Sequence, residues 1–244
     1  MVAHFHGSEV RAPSVELARN PFYVPFAGES DIESQKTLQQ WAEITGGTCV
    51  ISDIGLEEHV RGFFPNVHFV PLAVDTTAKR PTVPTARGVN PLVVHAPSEI
   101  SGKGTALVRN AVKELRMAGI GLEYRELTDV SHAEVVSEIQ RADIVIDQLR
   151  GGTYGRVTVE GMAAGKPVLV YIQNSLIASF PNDLPVINAN PDSISQELSA
   201  LISDSALRLD VGKRSRAFAE REHSLQRLGQ RLAQVYADIG SPVL

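Results

Sequence analysis

Short apolar runs rich in β-branched residues alternate along this chain with longer stretches of helical periodicity. In the clearest repeat, the run Leu92–His95 is followed by residues 105–117, whose apolar side chains recur at spacings of three and four, and then by a second run at 122–124. A helix that joins two strands carries the chain back to the same end of a sheet, so that the strands lie parallel. The sequence therefore predicts an α/β protein with a parallel sheet covered by helices.

The same alternation divides the chain into two unequal parts. The predicted strands are residues 2–6, 48–51, 67–70, 92–95, 122–124, 143–147 and 167–171, and the predicted helices are 31–44, 56–60, 105–117, 133–141, 157–164, 193–203, 205–222 and 224–239. Residues 75–90 are polar, contain prolines and show no period, which is typical of an interdomain linker. We therefore expect a partial domain at 1–74, a complete doubly wound domain at 91–222, and a C-terminal helix and tail at 223–244, for which a return to the N-terminal part is one option.

Charge and cysteine content exclude several classes of function. The 23 Lys and Arg residues against 28 Asp and Glu residues give a formal net charge of −5, so the basic surface of a nucleic-acid-binding protein is not expected. The one cysteine, Cys49, lies in an apolar run and is expected to be a buried thiol in a reducing compartment. No apolar stretch approaches the roughly 18 residues that span a bilayer. We therefore expect a cytoplasmic protein. Basic residues 208–231 either form a solvated face or contact anionic lipid, and in the second case the protein would attach to the inner face of the membrane.

The strongest local pattern is a strand at 143–147, a glycine-rich turn at 151–155, a helix, and a further strand at 167–171. Glycines between a strand end and a helix start let the backbone approach a ligand closely, and the first helical N–H groups suit a phosphate. This turn is therefore a predicted anion site. Glu160 lies about one turn into the helix, where it accepts hydrogen bonds from ribose hydroxyls or is a solvated surface residue; the spacing alone leaves both interpretations open.

The run from Gly152 to Val168, which reads GTYGRVTVEGMAAGKPV, resembles the signature of retaining glycosyltransferases of the GT-B fold, in the group known as glycosyl transferases group 1. Residues 49–75 are similar to the crossover of that family into its nucleotide-binding domain, and SGKGT at 101–105 is similar to its basic step. The resemblance covers about 48–239. It implies a GT-B-like fold with a complete Rossmann-like C-terminal domain and a partial N-terminal Rossmann-like domain.

By this resemblance the donor is a nucleotide-diphosphate sugar, and no separate cofactor is expected. Glu160 would hold the ribose and Lys103 the diphosphate. The turn would hold the phosphates and the sugar through its backbone. The turn residues assigned to the donor are Gly152, Thr153, Tyr154, Gly155 and Arg156. Cations and oriented N–H groups suit this chemistry because charge develops on the departing phosphate oxygen.

Residues 4–11, HFHGSEVR, resemble the family segment that brings an active-site histidine to the cleft. This implies that His6 is the catalytic residue facing the transferred sugar, while a plain histidine at a strand end stays an alternative. A metal site made of His4, His6 and Glu9 is not expected, because residues two apart on a strand point to opposite faces. No metal is therefore predicted.

One departure from the family pattern bears on activity. The first of its two paired glutamates, eight positions before the second, is replaced here by Gly152. A branch that makes bacterial surface polysaccharides tolerates glycine there and carries Asp-Gln before the turn, as at Asp147 and Gln148. The resemblance thus implies transfer of a hexose to a cell-envelope or capsular polysaccharide, with a saccharide or lipid-linked acceptor.

The resemblance also starts part-way through the N-terminal domain of the family. We therefore expect a truncated chain, with the further strands supplied by a second chain or by a homo-oligomer. A rival interpretation is a non-catalytic nucleotide-sugar-binding or scaffolding subunit of a two-chain glycosyltransferase. A third is a sugar-nucleotide epimerase on the same fold.

Overall fold

Two parallel β-sheets form the framework of the protein in the computed structural model, which describes residues 1–77, 81 and 90–240. The smaller sheet has the order β1-β2-β3, and the larger sheet has the order β5-β4-β6-β7-β8. The strands are β1 Ala3–Phe5, β2 Thr48–Ile51, β3 Asn66–Phe69, β4 Leu92–His95, β5 Glu123–Glu126, β6 Ile144–Ile146, β7 Val168–Val170 and β8 Ile187–Asn188. Every pair is parallel, which confirms the predicted α/β class.

Helices connect these strands and cover both sheets. They are α1 Pro13–Arg19, α2 Asp31–Thr45, α3 Glu57–Val60, α4 Ile100–Lys103, α5 Thr105–Met117, α6 His132–Arg141, α7 Arg156–Ala163, α8 Ile194–Ser203, α9 Ser205–Glu222 and α10 Leu225–Asp238. Two 3₁₀ turns, Ile54–Leu56 and Asn174–Ser179, complete the connections. None of the helices in the described part of the chain is long and apolar enough to cross a membrane.

The larger sheet is buried on both faces, because successive side chains of a strand point to opposite sides. Val93 and Ile146 belong to the core on one side, with the apolar faces of α5 and α8. Val94 and Val145 belong to the core on the other side, with α7 and α9. A parallel sheet with helices on both faces is the doubly wound arrangement that the sequence predicts.

The smaller sheet has the same construction with fewer strands. Phe5 and Ile51 pack with Leu38 of α2 on one face. On the other face, Val50 packs with Val235 of α10. The last helix of the chain therefore covers the first sheet.

The chain passes between the two sheets at two adjacent places. Val74, which follows the smaller sheet, donates its N–H to the carbonyl of His223 at 2.8 Å and forms a parallel bridge with Ser224. The imidazole Nδ1 of His223 lies 2.6 Å from the carbonyl oxygen of Leu72. Most of the predicted linker, residues 78–80 and 82–89, lies outside the described residues, as do residues 241–244 of the predicted tail. The domain boundaries drawn from the sequence stay predictions.

The basic residues of α9 and α10 are largely engaged with acidic partners. Arg214 pairs with Asp210, and Arg216 pairs with Glu220, each within one helical turn. Arg208 is buried and donates two hydrogen bonds to carbonyl oxygens at the end of α8. Paired charges of this kind are typical of a solvated helical face.

Candidate active site

A large cavity lies where β4, β5 and β6 end at one edge of the larger sheet. From β4 the chain goes first to β5, on one side of β4, and then to β6, on the other side. This edge is therefore the point at which the strand order reverses. Doubly wound sheets bind ligands at that position. The cavity measures about 570 Å³ and is lined by the segments that follow the three strands. Its apolar wall includes Pro97, Leu127, Val135 and Val157.

Glu160 of α7 lies on the wall of this cavity. The residue is 3% exposed, so the interpretation as a solvated surface residue is wrong. Its Oε1 is 2.6 Å from Nε2 of His132, the first residue of α6. Because a carboxylate only accepts hydrogen bonds, this contact places the imidazole proton on Nε2.

A second cavity of about 330 Å³ opens between the two sheets. His6, Arg11 and Asp53 line it from the side of the smaller sheet, and Tyr154 and Gly155 line it from the other side. Three residues line both cavities, namely Ser98, Lys103 and Arg156. The two cavities therefore meet at a pair of cationic side chains.

Lys103 is held in place by the local structure of α4. Glu99 caps this short helix by accepting from the N–H groups of Ser101 and Gly102. Gly104 ends it with φ +78°, a left-handed conformation that favours glycine. At the end of the helix, the Lys103 ammonium donates to Oε1 of Gln148 at 2.7 Å.

Asp147, which directly follows β6, occupies the N-terminus of α7. Its Oδ2 accepts from the N–H of Gly155 at 2.9 Å and from the N–H and hydroxyl of Thr158 at 3.3 and 2.7 Å. Its Oδ1 lies 3.7 Å from the Lys103 ammonium. The Gly155 amide, expected from the sequence to be open to a phosphate, is therefore bonded to a side chain in this structure. Within the described residues, the Arg156 amide has no hydrogen-bond partner.

Gly152 and Thr153 of the glycine turn do not line either cavity. Gly152 has φ +75°, and a Cβ there would lie 2.9 Å from Nδ2 of Asn20 and 3.1 Å from Cδ of Gln173. Thr153 donates its hydroxyl to Oδ1 of Asp53 at 2.9 Å, which joins the glycine turn to the smaller-sheet half. The space in which a glutamate at position 152 would stand is thus filled by other side chains.

Tyr154 lines the cleft between the sheets but its hydroxyl is engaged. The hydroxyl lies 3.2 Å from Nε2 of His223, and the ring packs against Phe180. Burial raises the pKa of Tyr154 and lowers the pKa of His223, so both groups are neutral near pH 7. Because Nδ1 of His223 donates to the Leu72 carbonyl, its Nε2 accepts the proton of the tyrosine hydroxyl.

His6 lies at the end of β1, exposed on the cleft. Its Nδ1 is 3.0 Å from the hydroxyl of Ser52, at the end of the neighbouring strand β2. Its backbone N–H donates to the carboxylate of Glu9. The ring is therefore oriented by the smaller sheet toward the cavity that contains Lys103 and Arg156.

Several residues of the candidate site have no role assigned from the sequence. Asp147 has a local signal, because it is an acidic residue directly after a buried strand. His132 and Asp53 have none, since their partners Glu160 and Thr153 are 28 and 100 residues away. Arg11 also lacks one, and it contacts Oδ2 of Asp53 at 3.2 Å.

A family profile described as glycosyl transferase-like matches residues 103–234, just over half of the chain. The chain belongs to this family of glycosyltransferases. The segment that matches the glycosyl transferase-like profile begins at Lys103 and includes Asp147, Arg156 and Glu160. Most of the larger-sheet side of the site therefore lies in the part shared with the family.

A curated relative of this chain is "Uncharacterized glycosyltransferase MJ1178" of Methanocaldococcus jannaschii, 24% identical over 141 residues. The match covers 49% of the present chain and 40% of that protein, so the chain spans less than half of its relative.

Solved structures of similar fold cover nearly the whole chain. Sucrose-phosphate synthase of Thermosynechococcus elongatus matches with a TM-score of 0.65 and 12% identity, over 98% of this chain and 67% of that one. Anabaena Alr3699/HepE in complex with UDP and glucose matches with a TM-score of 0.67 and 13% identity, over 96% and 71%. WaaG, described as a glycosyltransferase involved in lipopolysaccharide biosynthesis, matches with a TM-score of 0.62 and 11% identity, over 95% and 74%. These likenesses show that the chain has the GT-B-like fold that the sequence predicts.

Proposed function

We propose that this chain binds a nucleotide-diphosphate sugar and transfers the sugar, or forms the donor-binding part of an enzyme that does so. The observation that carries the proposal is the continuity of the two cavities. A buried carboxylate, Glu160, lies in one, the histidine His6 lines the other, and the cations Lys103 and Arg156 line both. This order matches the order of nucleoside, diphosphate and sugar in such a donor.

The nucleoside part of the donor fits the larger cavity. A nucleobase has apolar ring faces and polar edges, and the cavity wall near Pro97, Leu127 and Val157 is apolar. Glu160 presents a carboxylate, which accepts hydrogen bonds from vicinal ribose hydroxyls. The structural neighbour Alr3699/HepE was solved with UDP and with UDP-glucose, which supports a nucleotide of this kind here.

The diphosphate is placed at the junction of the cavities. Lys103 and Arg156 would face its charge, and the N-terminus of α7 adds the amide of Arg156 and its dipole. When the bond between the anomeric carbon and the phosphate oxygen breaks, the electron pair stays on the nucleoside diphosphate. Fixed cations at that oxygen stabilise the developing charge without reorganisation.

The transferred sugar then lies in the cleft between the sheets, against His6. The acceptor oxygen forms the new bond to the anomeric carbon, and its proton passes to the departing phosphate oxygen. Ser52 fixes the orientation of the His6 ring. Retention of the anomeric configuration is part of the proposal through the family resemblance.

We further propose that the sugar is a hexose and that the acceptor is a saccharide or lipid-linked precursor of a cell-envelope or capsular polysaccharide. The likeness to WaaG supports this class of acceptor. Sucrose-phosphate synthase has a comparable TM-score, so the fold serves more than one kind of acceptor. A cytoplasmic location, with peripheral attachment to the membrane, and a second chain or homo-oligomer that completes the acceptor side belong to the same proposal. The relatives are transferases by name and do not favour a non-catalytic subunit.

The experiment is a calorimetric titration with two probes, UDP and uridine. We expect Glu160→Ala to weaken both by about tenfold, since both contain the ribose, and Lys103→Met to weaken only UDP. Glu134→Ala and Lys113→Met, on the exposed faces of α6 and α5, serve as matched controls. Unchanged affinity of the Glu160 variant for both probes would remove the ribose assignment. Release of glucose from UDP-glucose, with and without added oligosaccharide acceptors, then tests transfer.

A further inference from the structure

The contact between His132 and Glu160 joins two helices at the wall of the larger cavity. Glu160 has a side chain that is 4% exposed, whereas the side chain of His132 is 66% exposed. The short distance of 2.6 Å between Oε1 and Nε2 therefore links a buried carboxylate to a solvent-facing imidazole. Both residues line the cavity.

The position of His132 is fixed by the start of α6. Ser131 caps this helix, because its hydroxyl accepts from the N–H of Glu134 at 3.2 Å. His132 is the first helical residue and has little backbone freedom.

A carboxylate that binds a pair of hydroxyls must present its oxygens in one plane and at one angle. The terminal torsion of a glutamate is broad, so an unrestrained Glu160 would sample many orientations. A hydrogen bond from His132 to Oε1 restricts that torsion. Preorganisation of this kind raises affinity for a ligand that uses the same carboxylate.

We propose that His132 is a positioning residue that orients Glu160 for recognition of the ribose hydroxyls, and so makes the site selective for ribonucleotides. This inference rests on the proposed function of the cavity. It assigns to His132 no contact with the base, the diphosphate or the transferred sugar.

The test compares the affinities for UDP and for 2′,3′-dideoxy-UDP, which lacks both ribose hydroxyls. We expect the wild-type protein to prefer UDP. His132→Ala should weaken UDP by about tenfold and the dideoxy analogue by less than about twofold, because the analogue has nothing for Glu160 to bind. His132→Gln should recover most of the loss, since its amide nitrogen reaches a position similar to Nε2.

A double-mutant cycle separates this role from a general effect on folding. In a Glu160→Gln background, adding His132→Ala should cost almost no further affinity for UDP, because the carboxylate to be oriented is already absent. Glu134→Ala, three residues from the cap on the same helix, is the control and should match the wild type.

Three results would overturn the inference. The first is an equal loss for UDP and the dideoxy analogue in His132→Ala, which indicates a general disturbance. The second is a fully additive loss in the cycle. The third, a wild-type protein that binds none of UDP, ADP and GDP, would remove the proposed function itself together with this inference.

Discussion

At the scale of single residues, the clearest energetic consequence comes from Lys166, which is 1% exposed and lies between the end of α7 and the start of β7. Burial lowers the pKa of its ammonium from 10.5 to about 8, and the nearby Asp143 carboxylate opposes that shift. Between about pH 8 and pH 10.5 the folded protein therefore holds Lys166 neutral while the unfolded chain holds it charged. The unfolded state binds more protons in that window, so the free energy of unfolding rises with pH there.

We predict that Lys166→Met removes this rise. The wild-type protein should gain stability from about pH 7 to about pH 10, relative to the variant, by on the order of 3 kcal/mol. Urea unfolding of both proteins at the two pH values measures the difference. Parallel pH dependence of the two proteins would show that Lys166 titrates normally.

The residues predicted for the donor site are partly brought together by the fold, whereas their individual contacts could not be predicted from the sequence. His6, Lys103, Arg156 and Glu160 come together on two joined cavities, although the first and last are 154 positions apart in the sequence. The local motif could not show that the Gly155 amide is bonded to a side chain. That hydrogen bond depends on the conformation of the loop, whereas a sequence motif gives only the types of the residues.

At the scale of elements, α7 depends on a cap from outside its own sequence. Its N-cap residue, Gly155, has no side chain to accept from the first helical N–H groups, and Asp147 accepts instead. Asp147→Ala would leave these buried groups without an acceptor. We predict a loss of about 1–3 kcal/mol in the free energy of unfolding, together with weaker UDP binding through displacement of Lys103 and α7.

Denaturant unfolding and UDP titration of Asp147→Ala and Asp147→Asn test this prediction. Asparagine keeps one oxygen acceptor, so it should recover part of the stability but not the charge beside Lys103. A variant Asp147→Ala as stable as the wild type would contradict the capping role.

Most elements follow from periodicity, and the missed ones are short. The predicted strands 48–51 and 92–95 and the helices 105–117 and 205–222 have the observed bounds, because each combines a clear period with recognisable ends. Four short elements in the described part of the chain were not predicted, namely α1 Pro13–Arg19, α4 Ile100–Lys103, the 3₁₀ turn Asn174–Ser179 and β8 Ile187–Asn188. Segments of two to seven residues contain too few repeats to show a period, and α4 forms because Glu99 caps it.

At the scale of the whole molecule, one hydrogen bond connects the glycine turn with the smaller-sheet half. Thr153 donates to Asp53, which also accepts from Gly55 and Arg11. We predict that Thr153→Val lowers the free energy of unfolding by about 1 kcal/mol and leaves UDP affinity within about twofold, because the larger cavity is built by the other half. Release of glucose from UDP-glucose should fall, since the proposed position of the sugar is between the halves.

Titration and a hydrolysis assay on the same preparation distinguish the two roles of Thr153. A tenfold loss of UDP affinity would instead show that its hydroxyl contacts the donor, as the family resemblance implies. Ser137→Ala, a surface hydroxyl deletion on α6, provides the comparison.

The chain crosses between the two sheets twice, near Val74 and near Ser224, and this limits how the two sheets can move relative to each other. Two chain segments joined by a hydrogen bond and a bridge would give the two sheets a hinge with a single axis. Rotation about that axis would widen or narrow the gap between His6 and Arg156, while the wall of the larger cavity that contains Glu160 keeps its shape. Binding of the nucleotide and reaction of the sugar would then be separate steps of one opening and closing cycle.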